Sequence, residues 1–96
     1  MMDERICFEA IDNPRLKQQA CEFMEQMTEL CPSDAIVRAT FWRLNGEFGA
    51  YVHVLSETAD MHAQDRAHSW HELLECIKSA LLVQIGQWRR HRFVAC

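Results

Sequence analysis

Three histidines are the first candidates for chemistry in this chain. His68 and His71 stand three residues apart, and His62 lies shortly before them. Three imidazoles can hold zinc when a fold brings them together. On an exposed strand and at a helix cap they read more simply as surface residues, so no metal site is expected. Five cysteines fall at 7, 21, 31, 76 and 96. Their number is odd and no pair has Cys-x-x-Cys spacing, which argues against a disulfide framework or a zinc ribbon. Reduced and mostly buried thiols are the expectation, with Cys96 the most exposed and reactive. The carboxylates Glu22, Glu25 and Glu29 recur at helical spacing on a wet face, where charge runs are solvated. There is no glycine-rich phosphate loop and no Gly-x-Ser-x-Gly elbow. The residues therefore point away from an enzyme, a cofactor or a small-molecule substrate.

The cations are placed unevenly. Residues 1–75 hold six Lys and Arg against fourteen Asp and Glu, a net of −8. Residues 76–96 hold Lys78, Arg89, Arg90 and Arg92 and no acid, a net of +4. Two readings are open. The basic end meets an anionic partner, or it offsets the negative end of a helix macrodipole.

The elements that must position these groups can be read along the chain. With 96 residues, 49% apolar and 25% charged, it has the size and balance of one soluble globular domain. No apolar run approaches the ~20 residues a bilayer span needs. The acidic start Asp3-Glu4 does not look like a signal peptide, so a cytoplasmic setting is expected. Arg5–Ile11 alternates as a strand, with Ile6, Phe8 and Ala10 on one face and Cys7, Glu9 and Ile11 on the other. Asn13-Pro14 opens a helix as N-cap and first helical residue. Leu16, Ala20, Phe23, Met24, Met27 and Leu30 follow at helical spacing, with the two methionines as core filler. Pro32 closes the helix.

Ala35–Leu44 reads as a strand, Asn45-Gly46 as a tight hairpin turn, and Phe48–Leu55 as its partner. Ala50, Val52 and Val54 face one way, Tyr51, His53 and Leu55 the other. Asp60–Asp65 is a shorter strand with Met61 and Ala63 inward. Ser69 and Glu72 have capping-box spacing. Leu74, Ile77, Leu81, Ile85 and Trp88 then form one apolar stripe, widened by Leu73, Leu82 and Val83. That helix is expected to fray after Arg90. The fold class is α+β, in the order β-α-β-β-β-α. Its first two strands can lie parallel across a right-handed crossover, the rest are antiparallel, and both helices pack on one face.

This order and several stretches resemble the ribosome hibernation promoting factor family, also called ribosome-associated inhibitors or sigma-54 modulation proteins. The resemblance spans about residues 5–92. It is most specific in Ala50-Tyr51-Val52-His53-Val54, Met61-His62-Ala63, Ser69-Trp70-His71 and the stripe Leu74, Ile77, Leu81, Gln84-Ile85. It implies a domain that binds rRNA of the small ribosomal subunit near the messenger and transfer-RNA channel and stores idle ribosomes. Contact would run through Lys and Arg on two parallel helices, largely without reading base sequence. Carried to this chain, the candidate RNA-binding residues are Arg15, Lys17, Lys78, Arg89, Arg90 and Arg92. The sequence departs from the pattern at Phe23, Gln26, Ala80, Val83 and Gln87, which stand where the family is basic. His71 stands where it has a capping Tyr.

Two functions follow as expectations. One is a ribosome-associated translation modulator. The other is a protein-interaction module that keeps the fold and has lost rRNA binding, with a homodimer formed through Trp42, Tyr51 or Leu55 on the uncovered sheet face. A continuous positive strip across both helices favours the first, a broken one the second.

Overall fold

The computed structural model describes the backbone of residues 6–94 and the side chains of residues 6–90. Six elements follow in order: β1 (Ile6–Glu9), α1 (Pro14–Leu30), β2 (Ile36–Leu44), β3 (Glu47–Leu55), β4 (Asp60–Ala67) and α2 (Trp70–Val94). The four strands form one mixed sheet in spatial order β1-β2-β3-β4. β1 runs parallel to β2, and the remaining pairs are antiparallel. This is the α+β topology expected from the sequence.

Local chemistry accounts for the boundaries. The side chain of Asn13 accepts a hydrogen bond from the Arg15 backbone N–H at 2.9 Å, and Pro14 follows as the first residue of α1. The helix stops before Pro32, with the Cys31 N–H closing on the Thr28 carbonyl at 3.1 Å. At the hairpin, Asn45 and Gly46 have φ of 53° and 79°, the two positive values a type I′ turn requires. That turn sets the register Leu44↔Glu47 through Ile36↔Leu55. At the start of α2 the Ser69 hydroxyl accepts from the Glu72 N–H at 3.4 Å.

The core lies between the sheet and the helices. Val37, Ala39, Phe41, Ala50, Val52, Val54, Met61 and Ala63 supply the sheet side. Ala20, Phe23, Met24 and Met27 enter from α1, and Trp70, Leu73, Ile77, Leu81 and Ile85 from α2. Leu73, Ile77 and Leu81 are fully buried, each worth about 1.5–3 kcal/mol relative to exposure. Trp70 closes one end of this core against Phe41 and Phe48, each with ring centroids at 5.4 Å.

Five expectations change. β1 is shorter than Arg5–Ile11, and Arg5 lies outside the described residues. Ala10 adopts φ 59° and breaks the alternation, so Ala10 is exposed and Ile11 turns into the core. β4 runs on to Ala67, because its pairing with β3 continues to Phe48↔Ala67. α2 does not fray after Arg90 but continues to Val94, with Arg89 and Arg90 near its C-terminus complementing the macrodipole. Leu82 and Val83 do not widen the buried stripe. They are 40% and 60% exposed, because at about 100° per residue they rotate well away from the direction of Ile77.

The thiols also differ from expectation. None of the four described cysteines is buried: Cys7 and Cys76 are exposed, Cys21 and Cys31 half-buried, and all four are free. Cys7 alternates to the uncovered sheet face beside Thr40, while Cys21 and the helix-capping Cys31 pack partly against the core. Cys96 lies outside the described residues.

Candidate nucleic-acid interface

The connectivity makes the two helices run in the same direction, each returning antiparallel to the strand before it. Their N-termini meet at one end. A pocket of about 450 Å³ there is lined by Asn13, Arg15 and Leu16 of the α1 start and by Ser69, Trp70 and His71 of the α2 start. At the opposite end the Trp88 indole N–H donates to the Thr58 hydroxyl at 3.1 Å, fastening α2 to the turn between β3 and β4. The 25-residue α2 is about 37 Å long. The eight-residue β4 spans only about 27 Å, so the helix outruns the sheet.

The candidate RNA-binding residues divide along this axis. Arg15 is exposed in the first turn of α1. Lys17 is half-buried, its ammonium 5.6 Å from the Phe8 ring centroid. Both lie at the N-terminal end of the helix pair. Arg89 and Arg90 are exposed at the far end of α2, about 27 Å from His71 by helical rise. Lys78 stands between them, half-buried. Arg92 lies on the helical backbone, but its side chain is outside the described residues.

The intervening surface is not cationic. α1 exposes Glu22, Glu25 and Glu29, and Gln18 donates to Glu22 at 3.3 Å. From Ser79 to Trp88, α2 carries no charge at all. The positive strip is therefore broken into two patches.

The uncovered face of the sheet holds Trp42 and Tyr51, expected there as a homodimer surface, and beside them residues that the sequence reading left unassigned. Strand register sets them in three cross-strand rows: Arg38–His53–His62, Thr40–Tyr51–Gln64 and Trp42–Gly49–Arg66. The Tyr51 ring lies 6.4 Å from that of His53 and 6.5 Å from that of His62. His53 pairs with Asp60 at 2.7 Å. The Trp42 indole lies over Gly49 and occupies the space that a Cβ there would need. The signal was available in the alternation of β2, β3 and β4 combined with the Asn45-Gly46 turn, which together determine which side chains stand abreast.

His62 thus lies on the far sheet face while His68 and His71 lie at the start of α2. Among the described residues no three His, Cys, Asp or Glu side chains are grouped to hold a metal ion. No helix among the described residues is long and apolar enough to cross a membrane. Gln84, part of the sequence resemblance, has a structural task. Its amide accepts from the His62 N–H at 3.1 Å and donates to the His62 carbonyl at 2.6 Å, covering the free edge of β4.

A four-stranded mixed sheet with two parallel helices on one face defines the class of this domain. The same fold occurs in a ribosomal subunit interface protein from Coxiella burnetii, with a TM-score of 0.67 and 12% sequence identity over 88% of this chain and 97% of that one. It occurs also in the N-terminal domain of Protein Y from Thermus thermophilus, with a TM-score of 0.63 and 9% identity over 93% of this chain and 98% of that one. No family model matches the sequence, and no curated protein does. At such identities the likeness establishes the fold.

Proposed function

We propose that this chain is a ribosome-associated translation modulator that docks on the small ribosomal subunit. The observation that carries the reading is a fold shared, over almost the whole of both chains, with a ribosomal subunit interface protein. The sequence resemblance from β3 onward points the same way. Docking on rRNA phosphates would use Arg15 and Lys17 at one end of the helix pair and Arg89, Arg90 and Arg92 at the other, with Lys78 between. Each phosphate contact contributes about 0.7–0.9 to the slope of log affinity against log salt. A helix layer with two separated cationic ends makes fewer such contacts than a continuous strip, so binding is expected to be weak, with a shallower salt dependence than a continuous strip would give. The test is co-sedimentation with purified small subunits through a sucrose gradient. Co-migration at low salt that disappears in the Arg89→Glu/Arg90→Glu variant supports the reading. Absence of co-migration at every salt concentration overturns it.

A second reading is favoured by the interruption itself. Glu22, Glu25 and Glu29 beside an uncharged stretch of α2 suit protein contact better than RNA contact. The domain would then be a protein-interaction module, and Ile36, Tyr51 and Leu55, 52%, 38% and 46% exposed, would form the homodimer surface on the uncovered sheet face. Light scattering across a concentration series tests it, and a monomer at all concentrations refutes the homodimer.

A further inference from the structure

The central rows of the uncovered sheet face have a composition unlike that of the rest of the chain. The sequence carries fourteen acids and a net charge of −4. Yet the nine positions of the three central rows, on β2, β3 and β4, hold two Arg, two His, Tyr, Trp, Thr, Gln and Gly, and no carboxylate. On β4, Asp60 of the next row is hydrogen-bonded to His53 at 2.7 Å, and Asp65 alternates to the opposite face of the strand. Arg38, Tyr51, His62, Gln64 and Arg66 are all exposed. Cations and aromatic rings are interleaved on these central rows, and the carboxylates of the same face, Glu9 beside Trp42, Glu47 beside Leu44 and Asp60 beside Leu55, lie around them.

We infer that this face is a binding platform for single-stranded nucleic acid, on which bases stack against Tyr51 and its neighbours while Arg38 and Arg66 hold the phosphates. Three observations support the assignment. First, Tyr51 lies on an inner strand with its neighbours in register on both sides, so its ring is held in place rather than free to swing. His62 is already stacked with it at an interplanar angle of 27°. Second, rows along a strand recur every two residues, about 6.8 Å apart, so the rings of His53 and Tyr51 and the Trp42 indole present successive faces along one line. Third, Arg38 and Arg66 stand at diagonal corners of the grid, on either side of the aromatic line, where a backbone crossing the sheet passes both. Stacking on aromatic side chains with flanking cations tolerates any base and tracks the backbone electrostatically. Two or three nucleotides would fill the rows.

This goes beyond docking through the helices, because it uses the opposite face of the sheet. The two are read by different variants. The probe is a fluorescein-labelled oligo(U) of about ten nucleotides, with oligo(dT) beside it, titrated by anisotropy at low salt. Both oligonucleotides should bind. Tyr51→Ala should weaken binding roughly 5- to 100-fold, and Tyr51→Phe should leave it within about twofold. Arg38→Ala and Arg66→Ala should each lower the salt slope by about 0.7. Arg89→Glu/Arg90→Glu should weaken oligonucleotide binding less than Tyr51→Ala does, whatever it does to ribosome co-sedimentation. Amide shifts on titration should centre on residues 38, 51, 53, 62 and 64. The proposal is overturned if neither oligonucleotide binds at low salt. It is equally overturned if Tyr51→Ala binds like the parent, or if the shifts map to the helix layer. A concentration-dependent dimer that Tyr51→Ala dissociates, with no oligonucleotide bound, assigns the face to protein contact and also overturns it.

Discussion

Removing the Gln84 amide should loosen the free edge of the sheet. Gln84→Ala deletes an acceptor for the His62 N–H and a donor to the His62 carbonyl, together with a 3.2 Å bond to the Ala80 carbonyl. A net hydrogen bond is worth about 0.5–1.5 kcal/mol. Two are lost to the strand backbone, and water recovers part because the site is exposed. The expected cost is therefore about 1–2 kcal/mol. For a domain of this size that lowers the melting temperature by roughly 5–15 °C. Gln84→Glu keeps the acceptor but turns a carboxylate oxygen toward the His62 and Ala80 carbonyls, so it should not restore the parent's stability. Calorimetry gives the melting temperature, and amide exchange at His62 reports the edge directly. An uncovered edge strand is also a template for strand pairing, so Gln84→Ala should self-associate more readily on heating. Melting within about 1 °C of the parent, with His62 exchange unchanged, would refute the reasoning.

Three further outcomes are expected. Gly49→Ala drives a methyl group into the Trp42 indole and should destabilise by about 1–3 kcal/mol; in urea melts, adding Trp42→Ala should cost less than the sum of the two single variants, and strict additivity would contradict the contact. Asn13→Ala removes the α1 cap and should cost about 1 kcal/mol, seen as an earlier loss of helical circular dichroism on heating. The Cys76 thiol is held above its ordinary pKa by desolvation, then by the charge and hydrogen bond of Asp65 and by Glu72 and Glu75. A raised pKa means less thiolate at neutral pH, so Asp65→Asn should lower it and speed alkylation of Cys76 in peptide-resolved mass spectrometry, and an unchanged rate would count against the Asp65 contact.

Much of the fold was legible because local chemistry and burial agreed. The 3.6-residue period with Asn13-Pro14 and Pro32 marked where α1 begins and the stretch in which it ends. The Asn45-Gly46 turn fixed the register of the longest pair of strands, and the faces of β3 and β4 followed from alternation. Legibility failed where geometry departs from the repeating pattern. A left-handed Ala10 cannot be inferred from its side chain, and it sends Ile11 to the opposite face. Leu82 and Val83 are apolar, but their angular position on α2 puts them outside the stripe that the sheet can reach. Residue type alone favours the interior for cysteine, yet Cys7 and Cys76 are exposed and Cys21 and Cys31 only half-buried.

The candidate site shows the same division more sharply. Sequence by itself determined which cations exist, that Arg89, Arg90 and Arg92 share a helix end free of acids, and which strand residues point away from the core. These are consequences of composition and of periodicities one strand or helix long. The parallel course of the helices, implied by the resemblance, places Arg15 and Lys17 at the end opposite the basic tail, with Glu22, Glu25 and Glu29 between; the tertiary structure decided which of these side chains stay exposed. Only strand pairing brought Arg38, His53 and His62, far apart in the chain, into one row beside Tyr51. Adjacency across strands depends on topology and register, and those follow from burying all six elements in one core at once.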